Sequence, residues 1–78
     1  MAANEILTRK IKAYRTFSTW TQEEIAEKLG ISQATYNKKE NGKIPFSLAE
    51  AKKIADLFGK NIEELFFEDA VFNTNTTV

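Results

Sequence analysis

Apolar side chains recur along this chain at helical intervals, and no segment shows the strict alternation that a strand requires. Leu7, Ile11 and Tyr14 form one stripe, Ile25, Ala26 and Leu29 a second, and Ala51, Ile54, Ala55 and Phe58 a third. The breaks between stripes are marked by glycine. Gly30 follows Leu29, Gly42 follows Asn41 and Gly59 follows Phe58, each where a left-handed residue would close a helix. Starts are equally explicit: Thr21-Gln-Glu-Glu24 and Ser47-Leu-Ala-Glu50 have the spacing of capping boxes, Asn61-Ile-Glu-Glu64 is a close variant, and Ser32 can cap the helix after it. The pattern predicts five helices over about residues 4–17, 22–29, 33–41, 48–58 and 62–68, an all-α fold. Ile44-Pro45-Phe46 reads as a connection, because proline disfavours helix in the residue before it. Residues 73–78 are a polar, β-branched tail. One domain over residues 1–70, with a tail over 71–78, is the expected organisation.

The link between the second and third predicted helices is the most informative feature. Only Gly30-Ile31-Ser32 separates them, so the two helices must turn sharply and cross closely. Gly30 supplies the bend and Ala26 the small side chain at the crossing. Ile31 would plug the angle, with Ile25, Leu29 and Tyr36 beneath it. This is a helix-turn-helix arrangement, whose second helix can lie in the major groove of DNA.

Composition narrows the chemistry. At 78 residues a domain buries only about 60% of the surface its unfolded chain exposes, and with no cysteine it has no disulfide to compensate. The lack of both cysteine and histidine removes the usual nucleophile, the usual neutral-pH base and most zinc ligands, so no enzyme, metal site or cofactor is expected. No apolar run suits a signal peptide or a membrane span, and a cytoplasmic location is expected. The zero net charge hides a polarity: residues 1–55 hold ten basic and six acidic side chains, residues 56–78 one and five. Such a chain can present its positive part to a polyanion and turn the other end away.

The run Thr21-Gln-Glu-Glu-Ile-Ala-Glu-Lys-Leu-Gly-Ile-Ser-Gln-Ala-Thr-Tyr-Asn-Lys-Lys-Glu-Asn-Gly42, with Lys53-Ile-Ala-Asp-Leu-Phe-Gly59 and Ile62-Glu-Glu-Leu-Phe66, resembles the helix-turn-helix domains of lambdoid phage repressors and Cro proteins. The resemblance spans about residues 7–67. It implies a compact five-helix domain and a transcriptional regulator, most simply a repressor, that binds a palindromic operator in double-stranded DNA as a homodimer. No small-molecule effector is evident.

On a helical wheel of residues 33–41, Tyr36 and Glu40 point inward, while Ala34, Asn37, Lys38 and Asn41 point outward, with Gln33 and Thr35 at the flanks. Glutamine suits adenine, lysine suits guanine O6 and N7, and alanine can touch a thymine methyl. By the resemblance, Gln33, Ala34 and Lys38 hold the principal base-reading positions, with Asn37 a further candidate. Gln22 would clamp phosphate with its amide and the helix N-terminus, and its amide could also brace Gln33. Thr35, Asn41 and Lys43 complete the expected phosphate set; for Lys43 an ordinary surface lysine is the competing reading. Arg15 and Glu40 match positions that pair in many relatives, against the alternative that Arg15 touches DNA.

Four positions depart from the family pattern. Lys39 stands where a large apolar residue is usual, so its stem should snorkel to water. Tyr36 and Trp20 are bulkier than usual and could fill the missing volume. Thr19, where glycine is frequent, points to an altered end of the first helix. Phe58 and Phe66 fit the core, whereas Phe67, Val71 and Phe72 lie beyond it, in the acidic end. They are the expected dimer contact, unless Phe72 folds back over its own core. A second functional class also fits an apolar C-terminal segment: an antitoxin or anti-repressor whose main partner is another protein.

Overall fold

The computed structural model describes residues 3–66, which form α1 (Ala3–Phe17), α2 (Gln22–Leu29), α3 (Gln33–Glu40), α4 (Leu48–Leu57) and α5 (Ile62–Phe66). No strand occurs among the described residues, so the all-α expectation holds. Asn41 and Phe58, expected inside helices, are instead the C-caps of α3 and α4. The stretch of the last helix expected beyond residue 66, and with it Phe67, Val71 and Phe72, lies outside the described residues.

Local chemistry explains the helix ends. In both capping boxes the reciprocal bonds form: Glu24 N–H donates to Thr21 Oγ1 at 3.1 Å and Thr21 N–H to Glu24 Oε1 at 2.9 Å. Likewise, Glu50 N–H donates to Ser47 Oγ at 3.1 Å and Ser47 N–H to Glu50 Oε1 at 2.8 Å. The Asn61 variant forms only one side-chain half, with Asn61 N–H donating to Glu64 Oε1 at 2.9 Å. At the other end of α2, Gly30 adopts φ +75°. Its N–H donates to Glu27 O at 3.1 Å, and Ile31 N–H donates to Ala26 O at 3.0 Å. This pair of bonds satisfies two orphan carbonyls while turning the chain, and only glycine takes that backbone angle at little cost. Gly42 closes α3 in the same way.

The end of α1 differs, as Thr19 suggested. Ser18 Oγ donates to Arg15 O at 2.9 Å and accepts from Trp20 N–H at 3.1 Å. A serine hydroxyl thus turns the chain without a left-handed residue, and Thr19 meets no backbone penalty.

α1 packs against α3 and α5, α2 against α3 and α4, and α4 against α5. Leu7, Ile11, Ile25, Ala26, Tyr36, Phe46, Ala51, Ile54, Ala55 and Leu65 form the core, with Tyr14, Trp20, Leu29, Ile31, Phe58 and Ile62 packed against it. Each large apolar side chain among these contributes roughly 1.5–3 kcal/mol. Phe46 was not expected there, since the sequence places it in a connection. The overlooked signal is its position just before the N-cap Ser47, with Ala51 at the fourth helical position: a hydrophobic staple. Trp20 with Ile25 and Ile31 with Tyr36 occupy the same two positions at the starts of α2 and α3. The starts of α2, α3 and α4 therefore each combine a side-chain cap with two staple positions that belong to the core or pack against it. The ring of Tyr36 meets that of Phe46 at 5.9 Å, tilted by 58°.

Among the described residues one aromatic side chain stays outside. Phe17 is 92% exposed at the rim of an open groove of about 380 Å³, which Tyr14, Trp20, Leu57, Phe58 and Lys60 also line. No described helix is long and apolar enough to cross a membrane.

Candidate nucleic-acid interface

α3 carries little apolar surface and is held chiefly by Tyr36 and Glu40, four residues apart and therefore on one face. Glu40 is only 3% exposed, and a carboxylate so placed needs full compensation. It receives four donors. Arg15 Nε donates to Oε2 at 2.6 Å and Arg15 Nη2 to Oε1 at 3.0 Å, a two-pronged pair between α1 and α3. Tyr36 Oη donates to Oε2 at 2.8 Å, and Gln22 Nε2 to Oε1 at 2.9 Å. Burial alone would push the Glu40 carboxyl up; the bonds from Arg15, Gln22 and Tyr36, with the Arg15 charge, outweigh it and hold it below the usual carboxylate range. The Glu40 bond in turn raises the Arg15 guanidinium above its ordinary value. Burial, then the bond to Glu40, pushes the Tyr36 phenol up, so it remains a donor.

The preceding residue of α3 solves a different problem. Lys39 does not snorkel to water: its ammonium lies 3.1 Å from Glu50 Oε1 and donates to Pro45 O at 3.1 Å, 6.0 Å from the Phe46 ring centroid. The reason is local, because the α4 capping box already holds the Glu50 carboxylate beneath the end of α3. Burial raises the Glu50 carboxyl, but the Ser47 amide and Lys39 more than offset this and leave it lowered. A lysine in this position thus ties α3 to the start of α4 where an apolar residue would only pack.

The opposite face of α3 opens to solvent. Gln33, Ala34, Asn37 and Lys38, all four expected base readers, line a groove of about 470 Å³ together with Gln22 and Lys43. All but Gln22 are exposed. Thr35 and Asn41, expected beside them, do not line it: the Thr35 hydroxyl accepts from Ser32 Oγ at 2.9 Å, and Asn41 caps α3. Gln22 does not brace Gln33. Its carbonyl instead accepts from Asn37 Nδ2 at 3.4 Å, and Asn37 Oδ1 accepts from Asn41 Nδ2 at 3.2 Å. Sequence reasoning missed this ladder, although Asn37 and Asn41 stand four apart on one helix face. Among the described residues no acidic side chain lines the groove, and two lysines do. It offers cations, amides and a methyl, a donor-rich surface suited to an anionic, hydrogen-bonding ligand.

A tight two-helix turn that leaves its second helix exposed defines the helix-turn-helix class, and here the buried Glu40 carboxylate braces that helix from below. The chain belongs to the helix-turn-helix family HTH_3, whose pattern it matches over residues 11–65. It is 45% identical over 64 residues to an uncharacterised HTH-type transcriptional regulator of Methanocaldococcus jannaschii, covering 81% of this chain and 97% of that one. Two uncharacterised HTH-type transcriptional regulators of Archaeoglobus fulgidus are 42% and 40% identical over 60 residues, covering 77% of this chain and 86% and 84% of theirs. No solved structure matches the chain. The family is not one of enzymes, in agreement with the sequence reading.

Proposed function

We propose that this protein is a sequence-specific DNA-binding transcriptional regulator of the lambdoid repressor and Cro type, a repressor that occludes a palindromic operator as a homodimer. The observation that carries the proposal is the groove itself: one exposed face of α3 gathers Gln33, Ala34, Asn37 and Lys38, the residue types that discriminate base edges. In this reading α3 enters the major groove, those four side chains read bases, and Gln22, Thr35, Asn41 and Lys43 contact phosphates. Arg15 and Glu40 fix the angle at which α3 is presented. Phe67, Val71 and Phe72 supply the dimer contact, holding two copies of α3 about 34 Å apart, one turn of the duplex.

Selection from a random DNA pool at fixed salt, followed by titrations at several salt concentrations, tests this. A palindromic consensus and a steep loss of affinity with salt are expected; a pool with no enriched sequence overturns the proposal. Within the consensus, Gln33→Ala should relax one symmetric position, whereas Lys43→Ala should weaken all sequences alike and shallow the salt slope by about one. For the dimer, a Phe67→Ser, Phe72→Ser double variant should sediment as a folded monomer that binds half-sites only. A dimer that survives those changes would put the contact elsewhere.

A further inference from the structure

The amide ladder has a direction, and the buried carboxylate sets it. Glu40, ionised against Arg15, can only accept hydrogen bonds, so the end of the Gln22 amide that faces it at 2.9 Å must be the NH2 group. The Gln22 carbonyl is thereby turned toward α3, where it accepts from Asn37 Nδ2. Asn37 is oriented in its turn, and its carbonyl accepts from Asn41 Nδ2. Each amide that could otherwise flip freely is fixed by the one nearer the core. The carbonyls of Gln22 and Asn37 each carry one hydrogen bond within the ladder and are turned along it, so the group these two residues present most directly outward is their second N–H.

We infer that Glu40 is a positioning residue for recognition, which through Gln22 orients Asn37 so that it meets the DNA chiefly as a donor. This rests on the DNA-binding reading above. An asparagine free to present both ends pairs with adenine, donating to N7 and accepting from N6. With its carbonyl turned along the helix toward Asn41, Asn37 presents its N–H to the groove. Its N–H finds acceptors on guanine O6 and N7, thymine O4 and adenine N7, but the second bond from the adenine amino group, which singles out adenine, is disfavoured because the carbonyl points toward Asn41. Gln22, likewise a donor, is matched to a phosphate oxygen. The inner ion pair and the choice of base at the surface are therefore one hydrogen-bonded system.

Gln22→Met tests this, because it cuts the ladder at its first rung while leaving Glu40 paired with Arg15 and Tyr36. In the free protein, side-chain amide NMR should show the Asn37 NH2 protons moving toward their solvent-exposed shifts in the variant; unchanged Asn37 amide resonances overturn the inference whether or not DNA is bound. In operator selection, the variant should gain adenine by about five-fold or more at the symmetric position that Asn37→Ala relaxes, with the position read by Gln33 unchanged. A variant that binds every sequence more weakly but keeps the wild-type preferences would show that Gln22 touches phosphate alone and overturn the inference. If the wild-type protein itself enriches no sequence, the DNA-binding reading fails, and the NMR result still decides the direction of the ladder.

Discussion

Lys39 and Glu40 are neighbours in α3, both charged, both turned from the reading face, and they are compensated in unlike ways. Glu40 is buried and saturated by four donors from α1, α2 and its own helix. Lys39 lies at the rim, with one carboxylate, one carbonyl and the edge of an aromatic cluster. The first arrangement couples three helices to a charge that has no route to water. The second joins two segments already held by the α4 capping box. Burial, rather than charge, thus decides how much of the fold depends on a residue: Glu40 is indispensable even though its ion pair brings little net stability over an apolar substitute, whereas Lys39 is replaceable.

The largest effect should come from removing one member of the buried group. Glu40→Ala strands the Arg15 guanidinium and the Tyr36 hydroxyl, and is expected to cost roughly 3–5 kcal/mol in urea unfolding. Arg15→Ala should cost a similar amount, and the double variant much less than the sum, giving a coupling energy well above about 1 kcal/mol. A coupling near zero would erase the distinction between the two sites.

Acid should separate them next. Both Glu40 and Glu50 are held below their ordinary 4.5 in the folded protein, so the unfolded chain takes up protons first as pH falls. Their stabilisation is complete above about 4.5 and is lost as pH drops further, through the folded values. Stability measured from pH 6 down to pH 2 should fall steeply in the wild-type protein. In an Arg15→Met, Glu40→Leu double variant the fall should be much shallower, and in Glu50→Gln only slightly so. Equal flattening by both would mean that the rim carboxylate matters as much as the buried one.

The smallest effect is expected for Lys39→Met, which keeps the apolar stem and leaves Glu50 its bond from the Ser47 amide. Thermal unfolding should shift by no more than about 1 kcal/mol in either direction. A loss comparable to that of Glu40→Ala would show that the Lys39 contacts hold α3 in place.

Much of this molecule was written locally. Five helices, three of their caps and the sharp bend at Gly30 follow from residues within four or five positions of one another, because helix periodicity, side-chain capping and left-handed glycine are short-range effects. The exposure of Gln33, Ala34, Asn37 and Lys38 on one face follows equally from the pitch of a helix whose inner side holds Tyr36 and Glu40. The positions of Arg15 and Glu40 raised their pairing only through family resemblance. What no local rule could supply is where partners 10 to 25 residues apart meet. Gln22 turned to Glu40 and Asn37 rather than to Gln33 because a buried carboxylate demands donors more strongly than an exposed amide does. Lys39 found Glu50 because capping α4 fixed that carboxylate beneath the end of α3, and Phe46 became core because the chain leading into α4 passes over Tyr36. These outcomes depend on which groups the packed helices deprive of water, and that is decided only when all the helices are in place.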